Sequence, residues 1–306
     1  MNLSMKLDFL WSKGFILKNE YCLKDTNYIS SEDEVINQLR WCQKNTPGII
    51  WIRTTDTKNK NLKTDLDFFA ENINLINENT ILITGDGDRD VPSSYQNETV
   101  ASILNNKFIK SWYTQNLDLT NSSDKFKYYP IGINFHHKQI EMKQKPITIK
   151  DNLVYVSLNK QLSNAPKKLR IFCDSHLNIT HPARSEMFNK IKDNKNIDFL
   201  DTRVDFTAIH ELYSSYHFIL SPRGNGVDCY RTWEAFLLGA IVITLSSPLD
   251  KMYIDNRLPV VILQDWNQLN CDNLEEKLLE WLDIHKEKTL LKNIIPKFSL
   301  NYWIKN

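Results

Sequence analysis

Short apolar runs alternate with amphipathic segments along the first half of the chain. Gly48–Arg53 and Asn79–Asp86 are largely aliphatic and lie between turns, and such runs predict buried strands. Ser31 precedes three acidic residues and an apolar pattern through Val35 and Leu39, which predicts a helix that begins there. The first half is therefore predicted to alternate strands with helices.

The second half repeats this alternation after a polar stretch, His136–Asn152, which lacks strong periodicity and is interpreted as a linker. A helix is predicted from Pro182 to Ile191, and apolar positions within 274–293 predict a second, amphipathic helix. The further predicted strands are 107–116, 127–134, 153–159, 169–175, 196–201, 216–222, 240–245 and 258–263.

Near-continuous apolar strands joined by helices favour parallel sheets that are covered on both faces. We therefore predict an α/β fold of two doubly wound domains with a cleft between them. The predicted boundaries are 1–140 for the N-terminal domain, 150–290 for the C-terminal domain and 291–306 for a tail that packs back on the N-terminal domain.

The composition is that of an ordinary soluble protein. Of the 306 residues, 42% are hydrophobic and 25% are charged, which favours neither disorder nor a fibrous architecture. The formal net charge is +1, so the chain lacks the excess of basic residues that is typical of a general nucleic-acid binder. The 5 cysteines are an odd number without a C-x-x-C pair, which argues against a disulfide framework or structural zinc.

A cytoplasmic location is expected, because the amino terminus lacks the apolar stretch of a signal peptide. The sequence contains no run of about 18 apolar residues, so no membrane span is predicted.

The stretch from Phe218 to Pro248 combines a predicted strand, a glycine turn and a helix. Glycine lets the backbone approach a ligand closely, and Asp228 is predicted to cap the helix. Free N–H groups at a helix start favour phosphate, and a carboxylate on the helix suits the vicinal hydroxyls of a ribose. The candidate ligand-binding residues are Arg223, Gly224, Asn225, Gly226, Asp228, Arg231 and Glu234.

A simpler interpretation stays open for this stretch. Arg231 and Glu234 stand three residues apart and are also expected to sit on a polar helix face as a surface ion pair. Neither a Walker motif nor Gly-x-Gly-x-x-Gly is present, which disfavours ATP hydrolysis and the usual dinucleotide binding.

An acidic loop follows the predicted strand in Asn79–Asp86. Asp86, Asp88 and Asp90 alternate with Gly87 and Arg89. Carboxylates this close repel each other, so raised pKa values or a cationic partner are expected. Arg89 is the predicted partner.

Four interpretations of this loop remain open. A calcium loop is disfavoured because its sixth and twelfth positions are Val91 and Asn97 rather than Gly and Glu. In a second interpretation, Asp86 and Asp88 bind a divalent metal ion. In a third, one of the two acts as a general base, and in a fourth the loop is a solvated acidic turn.

The run Ser221–Thr244, together with 246–253 and 258–266, resembles the carboxy-terminal signature of the exostosin-like glycosyltransferases. The segments YYPIGIN, KSWYTQN and GDGDRDVP resemble amino-terminal landmarks of small, soluble members, so the resemblance spans roughly Leu82 to Trp266. The first 75 residues show no such resemblance.

The resemblance implies a GT-B fold, in which two Rossmann-like domains face a cleft. The C-terminal domain would bind a nucleotide-sugar, usually linked to UDP, and the N-terminal domain the acceptor. By motif position, Arg223 and Arg231 would meet the diphosphate and Glu234 the ribose. Arg184, in HPARSEM, matches another diphosphate position.

The implied activity is inverting transfer of a sugar, with xylose as the first candidate, from a UDP-sugar to a glycan hydroxyl. Asp88 is the predicted general base and Asp86 the second choice, and no obligatory metal or other cofactor is expected. Gln115, Asn116 and Trp112 are predicted to contact the acceptor sugar. A single module favours a compact transferase over a two-module polymerase of the animal exostosin type.

Two rival functions stay open. A nucleotide-sugar or glycan-binding protein without activity would keep the donor site and need no base, and a retaining GT-B transferase would need no deprotonating aspartate.

Overall fold

The computed structural model describes residues 10–12, 30–55, 62–134, 166–177 and 180–304. The predicted linker at His136–Asn152 and the predicted strand at 153–159 lie outside the described residues. Two compact units are present. The first comprises Met1–Ile131, Gly226–Asp228 and Leu300–Asn306, and the second comprises Gly132–Asn225 and Cys229–Ser299. The sequence-based domain boundaries stay a prediction.

The first unit is built on a parallel sheet with the strand order β1-β2-β3-β4. The strands are β1 (Ile49–Arg53), β2 (Thr80–Gly85), β3 (Ile109–Thr114) and β4 (Phe126–Tyr128). The helices are α1 (Glu32–Asn45), α2 (Asp65–Glu71) and α3 (Asn97–Asn105), with a 3-10 turn at Ile73–Leu75 and a short helix at Leu300–Trp303.

The helix predicted at Ser31 is confirmed. Ser31 is its N-cap, and Glu34 completes a capping box by accepting the Ser31 backbone N–H at 2.8 Å. The strand predicted at 127–134 is shorter and ends at Tyr128. Pro130 has no N–H to contribute to the ladder, which explains the early end.

Register brings the carboxyl ends of the first three strands together. Arg53 pairs with Gly85 across β1 and β2, and Thr84 pairs with Thr114 across β2 and β3. Because the strands are parallel, the residues that follow each of them meet at one edge of the sheet.

The second unit contains a five-stranded parallel sheet with the order β6-β5-β7-β8-β9. Its strands are β5 (Lys168–Cys173), β6 (Ile197–Phe199), β7 (Tyr216–Leu220), β8 (Ile241–Leu245) and β9 (Val260–Leu263). Its helices are α4 (Pro182–Ile191), α5 (Phe206–Ser215), α6 (Tyr230–Leu237), α7 (Asp250–Asp255), α8 (Leu274–His285) and α9 (Leu291–Ile294), and 3-10 turns cover Ser175–Leu177, Trp266–Leu269, Lys286–Thr289 and Ile295–Phe298.

The strand order of this second sheet reverses direction beside β5. The chain leaves β5 for β6 on one side and returns to β7 on the other. Such a switch point leaves a crevice outside the carboxyl ends of the two central strands, where doubly wound folds bind ligands.

The helix predicted over 274–293 is interrupted. The α8 helix ends at His285, and Leu290 is extended with φ −65° and ψ 136° before α9 begins. The helix predicted at Pro182–Ile191 is confirmed, as is the α/β class with two parallel sheets. Within the described ranges, no helix has both the length and the apolar character needed to cross a membrane.

Candidate functional site

Arg231 is held by residues from two other elements of the second unit. Its Nε donates to Asp174 Oδ1 at 2.8 Å and to the Tyr213 hydroxyl at 3.1 Å. The Tyr213 hydroxyl donates to Asp174 Oδ2 at 3.0 Å. Burial lowers the pKa of Arg231, but Asp174, Tyr213 and Cys229 together raise it by more, so the pKa is well above its usual range.

These contacts replace the surface ion pair that was predicted between Arg231 and Glu234. Asp174 directly follows the apolar strand β5, so it lies at the switch point. Its position as the first carboxylate after that strand is a signal that sequence reasoning missed.

Arg184 lies in α4 and is 5% exposed. Its Nε donates to the Arg223 carbonyl at 3.1 Å. Burial lowers the pKa of Arg184, and the positive charge of Arg231 lowers it further. The two cations therefore repel each other at the switch point, and an anion bound there would offset the repulsion.

The turn after β7 is fixed by its own backbone and by Cys229. The Cys229 Sγ accepts the Gly224 N–H at 3.1 Å, and Arg223 donates through Nη2 to the Asn225 carbonyl at 2.9 Å. A Cβ on Gly224 would stand 3.0 Å from Arg184 Nη2. Glycine therefore allows the turn to pack tightly against the buried guanidinium.

Cys229, rather than Asp228, is the N-cap of α6, and its side chain makes no capping bond. The predicted Asp228 cap is therefore wrong. Asp228 belongs to the first unit, where its Oδ2 accepts the Ile131 N–H at 2.7 Å. An N-cap side chain must accept an N–H from the first turn of its own helix. The Asp228 carboxylate instead accepts the Ile131 N–H.

Glu234 is buried, although it was predicted to lie on a polar helix face. Its Oε1 accepts the Asn134 N–H at 3.3 Å, and its Oε2 lies 3.7 Å from His210 Nε2. The polar helix face predicted for Glu234 is wrong because all residues from Thr232 to Leu237 are buried. An ionised carboxylate has about four lone-pair sites, so these contacts leave acceptor capacity for ligand hydroxyls.

In the first unit, Asp86 is completely enclosed by protein. Its Oδ2 lies 3.2 Å from Arg53 Nε, and its Oδ1 lies 3.5 Å from the Ser12 Oγ. Arg53, from the end of the neighbouring strand, is a cationic partner of Asp86, whereas the prediction named Arg89 for the acidic loop as a whole. Arg89 lies over the Tyr95 ring at 5.5 Å. Strand register, invisible in the local sequence, decides this pairing.

Gly87 lies in a place that only glycine fits. A Cβ there would stand 2.4 Å from the Thr55 carbonyl oxygen, far inside van der Waals contact. Asp86, immediately before it, has a positive φ of 60°, which an aspartate tolerates better than most residues. The tight turn places Asp88 after it, with a partly exposed side chain.

Gly226 brings part of the glycine-rich motif next to Asp88. A Cβ on Gly226 would stand 3.2 Å from Asp88 Oδ1 and 2.9 Å from Asn116 Nδ2, all within the first unit. Two segments that were predicted separately, the acidic loop and Gly226–Asp228, therefore lie together.

Trp112 belongs to the core of the first unit. It is fully buried, its indole N–H donates to Thr84 Oγ1 at 2.9 Å, and its ring packs on Phe126. The prediction that Trp112 stacks on an acceptor sugar is wrong, because the side chain packs in the hydrophobic core of the first unit. Gln115 and Asn116 are each 1% exposed and bond to the acidic loop.

No protein-family model matches the sequence, and no curated protein matches it at a significant level. Its fold is similar to that of a UDP-GlcNAc 2-epimerase from Methanocaldococcus jannaschii, with 14% identity over 88% of this chain and 78% of that chain and a TM-score of 0.34. A glycosyltransferase from Rickettsia africae ESF-5 is 14% identical over 94% of this chain and 79% of that chain, with a TM-score of 0.42.

WaaG, a glycosyltransferase involved in lipopolysaccharide biosynthesis, is 12% identical over 82% of this chain and 100% of that chain, with a TM-score of 0.31. Structural similarity at this level of sequence identity gives no evidence about activity, because activity depends on the residues of the site.

Proposed function

We propose that this protein is a glycosyltransferase that uses a nucleotide-sugar donor. The observation that carries the proposal is the pair of buried Arg184 and mostly buried Arg231, with Glu234 on the same helix as Arg231, at the switch point of the second sheet. Two guanidinium groups, of which Arg231 forms an ion pair with Asp174, suit a diphosphate. A buried carboxylate with remaining acceptor capacity suits a ribose.

The proposed donor is a UDP-sugar, and xylose is the first sugar to test. Arg184, Arg231 and the turn at Arg223–Gly224 would hold the diphosphate, and Glu234 would accept hydrogen bonds from the ribose hydroxyls. The choice of uridine and xylose rests on the resemblance to the exostosin-like glycosyltransferases.

Asp88 is the proposed general base, and the acceptor is a glycan hydroxyl. Asp88 would take the hydroxyl proton while the acceptor oxygen attacks C1 of the sugar from the side opposite the diphosphate. The bond from C1 to the diphosphate oxygen breaks, and UDP leaves with the electron pair. The arginines would stabilise the negative charge of the leaving group. Asp86 is less suited to this role because it is paired with buried Arg53.

Transfer is proposed to need no metal ion, because arginines supply the positive charge at the leaving group and Asp86 is already committed to Arg53. Activity should survive complete chelation by EDTA. If EDTA abolishes transfer and Mg²⁺ or Mn²⁺ restores it, the metal-binding interpretation of Asp86 and Asp88 replaces this one.

The direct test measures UDP release with UDP-xylose, UDP-glucose, UDP-galactose and UDP-N-acetylglucosamine against a panel of glycan acceptors. Turnover with any of them supports the proposal. Tight UDP binding without hydrolysis or transfer would instead favour a binding protein. The anomeric configuration of the product, read by NMR, distinguishes inversion from retention: an α-linked product from an α-linked donor contradicts the inverting mechanism.

A further inference from the structure

The Gly87 carbonyl, one residue before Asp88, is held by two buried amides. Gln115 Nε2 donates to it at 3.0 Å and Asn116 Nδ2 at 3.1 Å. A carbonyl oxygen has two lone pairs, so these two donors satisfy it. The peptide that leads into Asp88 is therefore fixed in orientation.

The side-chain oxygens of both amides also accept hydrogen bonds. Gln115 Oε1 accepts the Asp86 N–H at 3.2 Å, and Asn116 Oδ1 accepts the Asp228 N–H at 3.0 Å. Each side chain thus connects two backbone groups, and each is 1% exposed. This arrangement suits a support for the loop rather than a contact with a sugar.

Close packing reinforces the hydrogen bonds. Gly87 lies directly against Thr55, and Gly226 lies against both Asn116 and the Asp88 carboxylate. Asn116 has a positive φ of 52°, which costs energy for a side-chain-bearing residue and persists where the surroundings require it. The backbone before Asp88 is restrained on several sides.

We propose that Gln115 and Asn116 are positioning residues for the Asp88 base, not acceptor ligands as the sequence predicted. They act through the Gly87 carbonyl, which fixes the direction in which the Asp88 carboxylate leaves the turn. This inference rests on the proposed glycosyltransferase function. A base must stay within hydrogen-bond reach of the acceptor hydroxyl, and a displacement of about 1 Å can cost about 100-fold in rate.

The test compares the variants Asn116→Asp and Asn116→Gly in the full-length protein. Asn116→Asp removes the donor to Gly87 but keeps the oxygen that accepts the Asp228 N–H. Asn116→Gly removes both bonds and suits the positive φ. Asn97→Asp makes the same chemical change at an exposed position of the first unit and serves as the control.

Asn116→Asp is expected to lower kcat about 10- to 100-fold, with an acceptor KM and a UDP Kd close to those of the unmodified protein. Asn116→Gly is expected to lower kcat at least as far and also to weaken UDP binding, because the Gly226–Asp228 segment loses its anchor. Rates are normalised to UDP-binding sites counted by calorimetry, so a loss of folded protein does not imitate a loss of kcat. Gln115→Met, which removes the other donor, should reproduce the fall in kcat if Asn116→Asp fails to fold.

A raised acceptor KM with unchanged kcat would identify these amides as acceptor ligands and overturn the inference. An unchanged kcat in both Asn116→Asp and Gln115→Met, with transfer by the unmodified protein intact, would also overturn it while the proposed function stands. Absence of transfer by the unmodified protein would overturn the proposed function and the positioning role together.

Discussion

The positive charge of Arg184 is buried and is repelled by the positive charge of Arg231. This repulsion is the strongest indication of an anion site at the scale of single residues. Burial and Arg231 both lower the pKa of Arg184. Asp174 compensates Arg231 directly through a 2.8 Å contact. A bound diphosphate would add negative charge where two guanidinium groups meet.

Glu234→Gln should weaken UDP binding about 10- to 100-fold, because hydrogen bonds to a charged group contribute about 1.5–3 kcal/mol. Calorimetry with UDP and with 2′,3′-dideoxy-UDP checks the assignment. The penalty should largely disappear with the dideoxy ligand, which has no ribose hydroxyls to lose. An equal penalty for both ligands would show that Glu234 acts on the fold and not on the ribose.

Asp88→Asn should leave the UDP Kd within about twofold while kcat falls 100-fold or more, since general-base catalysis contributes about 10²–10⁴-fold. Steady-state kinetics and calorimetry on the same preparation separate the two effects. Asp90→Asn is the matched control from the same loop, and it should retain most of the activity. A near-normal rate in Asp88→Asn would refute the base assignment.

At the scale of elements, strand ends and the turns after them build the candidate sites. The acidic loop follows β2 and meets the ends of β1 and β3, whereas Asp174 and the Arg223–Gly224 turn follow β5 and β7. The strands themselves are predictable from their aliphatic runs. The residues that meet at their ends depend on strand order, which the local pattern does not encode.

Gly87→Ala should lower the free energy of unfolding by about 1–3 kcal/mol, the usual cost of overpacking, because its Cβ would collide with the Thr55 carbonyl. Gly48→Ala is the matched control. Gly48 has a φ of +75° but its nearest heavy-atom contact would be 3.7 Å away, so a torsional cost of about 1–2 kcal/mol is expected.

The two glycine variants should therefore have similar stability but different activity. Only Gly87→Ala displaces the turn before Asp88 and should lower kcat. Urea unfolding and kinetics on both variants check this, and equal loss of kcat in both would point to a general effect of destabilisation.

At the scale of the whole molecule, two histidines of the second unit make stability depend on pH. Burial, reinforced by Lys167, lowers the pKa of His217 to about 4. Burial, reinforced by Lys288, likewise lowers the pKa of His285 to about 4. In the unfolded chain a histidine has a pKa of about 6.5. The unfolded state therefore binds more protons between these values, and stability falls as the pH falls from about 6.5 towards 4.

The variant His217→Gln/His285→Gln should show a shallower loss of stability across this pH window, because glutamine does not titrate. Thermal unfolding at pH 7, 6, 5 and 4.5 measures the slope. His217 is half-buried, which reduces its contribution below that of a fully buried group. Identical slopes for the variant and the unmodified protein would show that other groups control acid stability.

The sequence alone determined the α/β class, most strand positions and the concentration of Arg223, Arg231 and Glu234 around one turn and helix. These features follow from local periodicity and from residues close together in the chain. The predicted helix at 182–191 also matches the structure, because a proline start and an apolar face are local signals.

Tertiary structure alone decided the partners of these residues. Arg231 bonds to Asp174, 57 positions away, Asp86 bonds to Arg53, 33 positions away, and Asn116 accepts the N–H of Asp228, 112 positions away. Strand order and register bring such residues together, and both are selected by packing of the whole sheet rather than by any short segment. For the same reason Trp112 became core and Gln115 and Asn116 became supports of the acidic loop, roles that their types and spacing did not reveal.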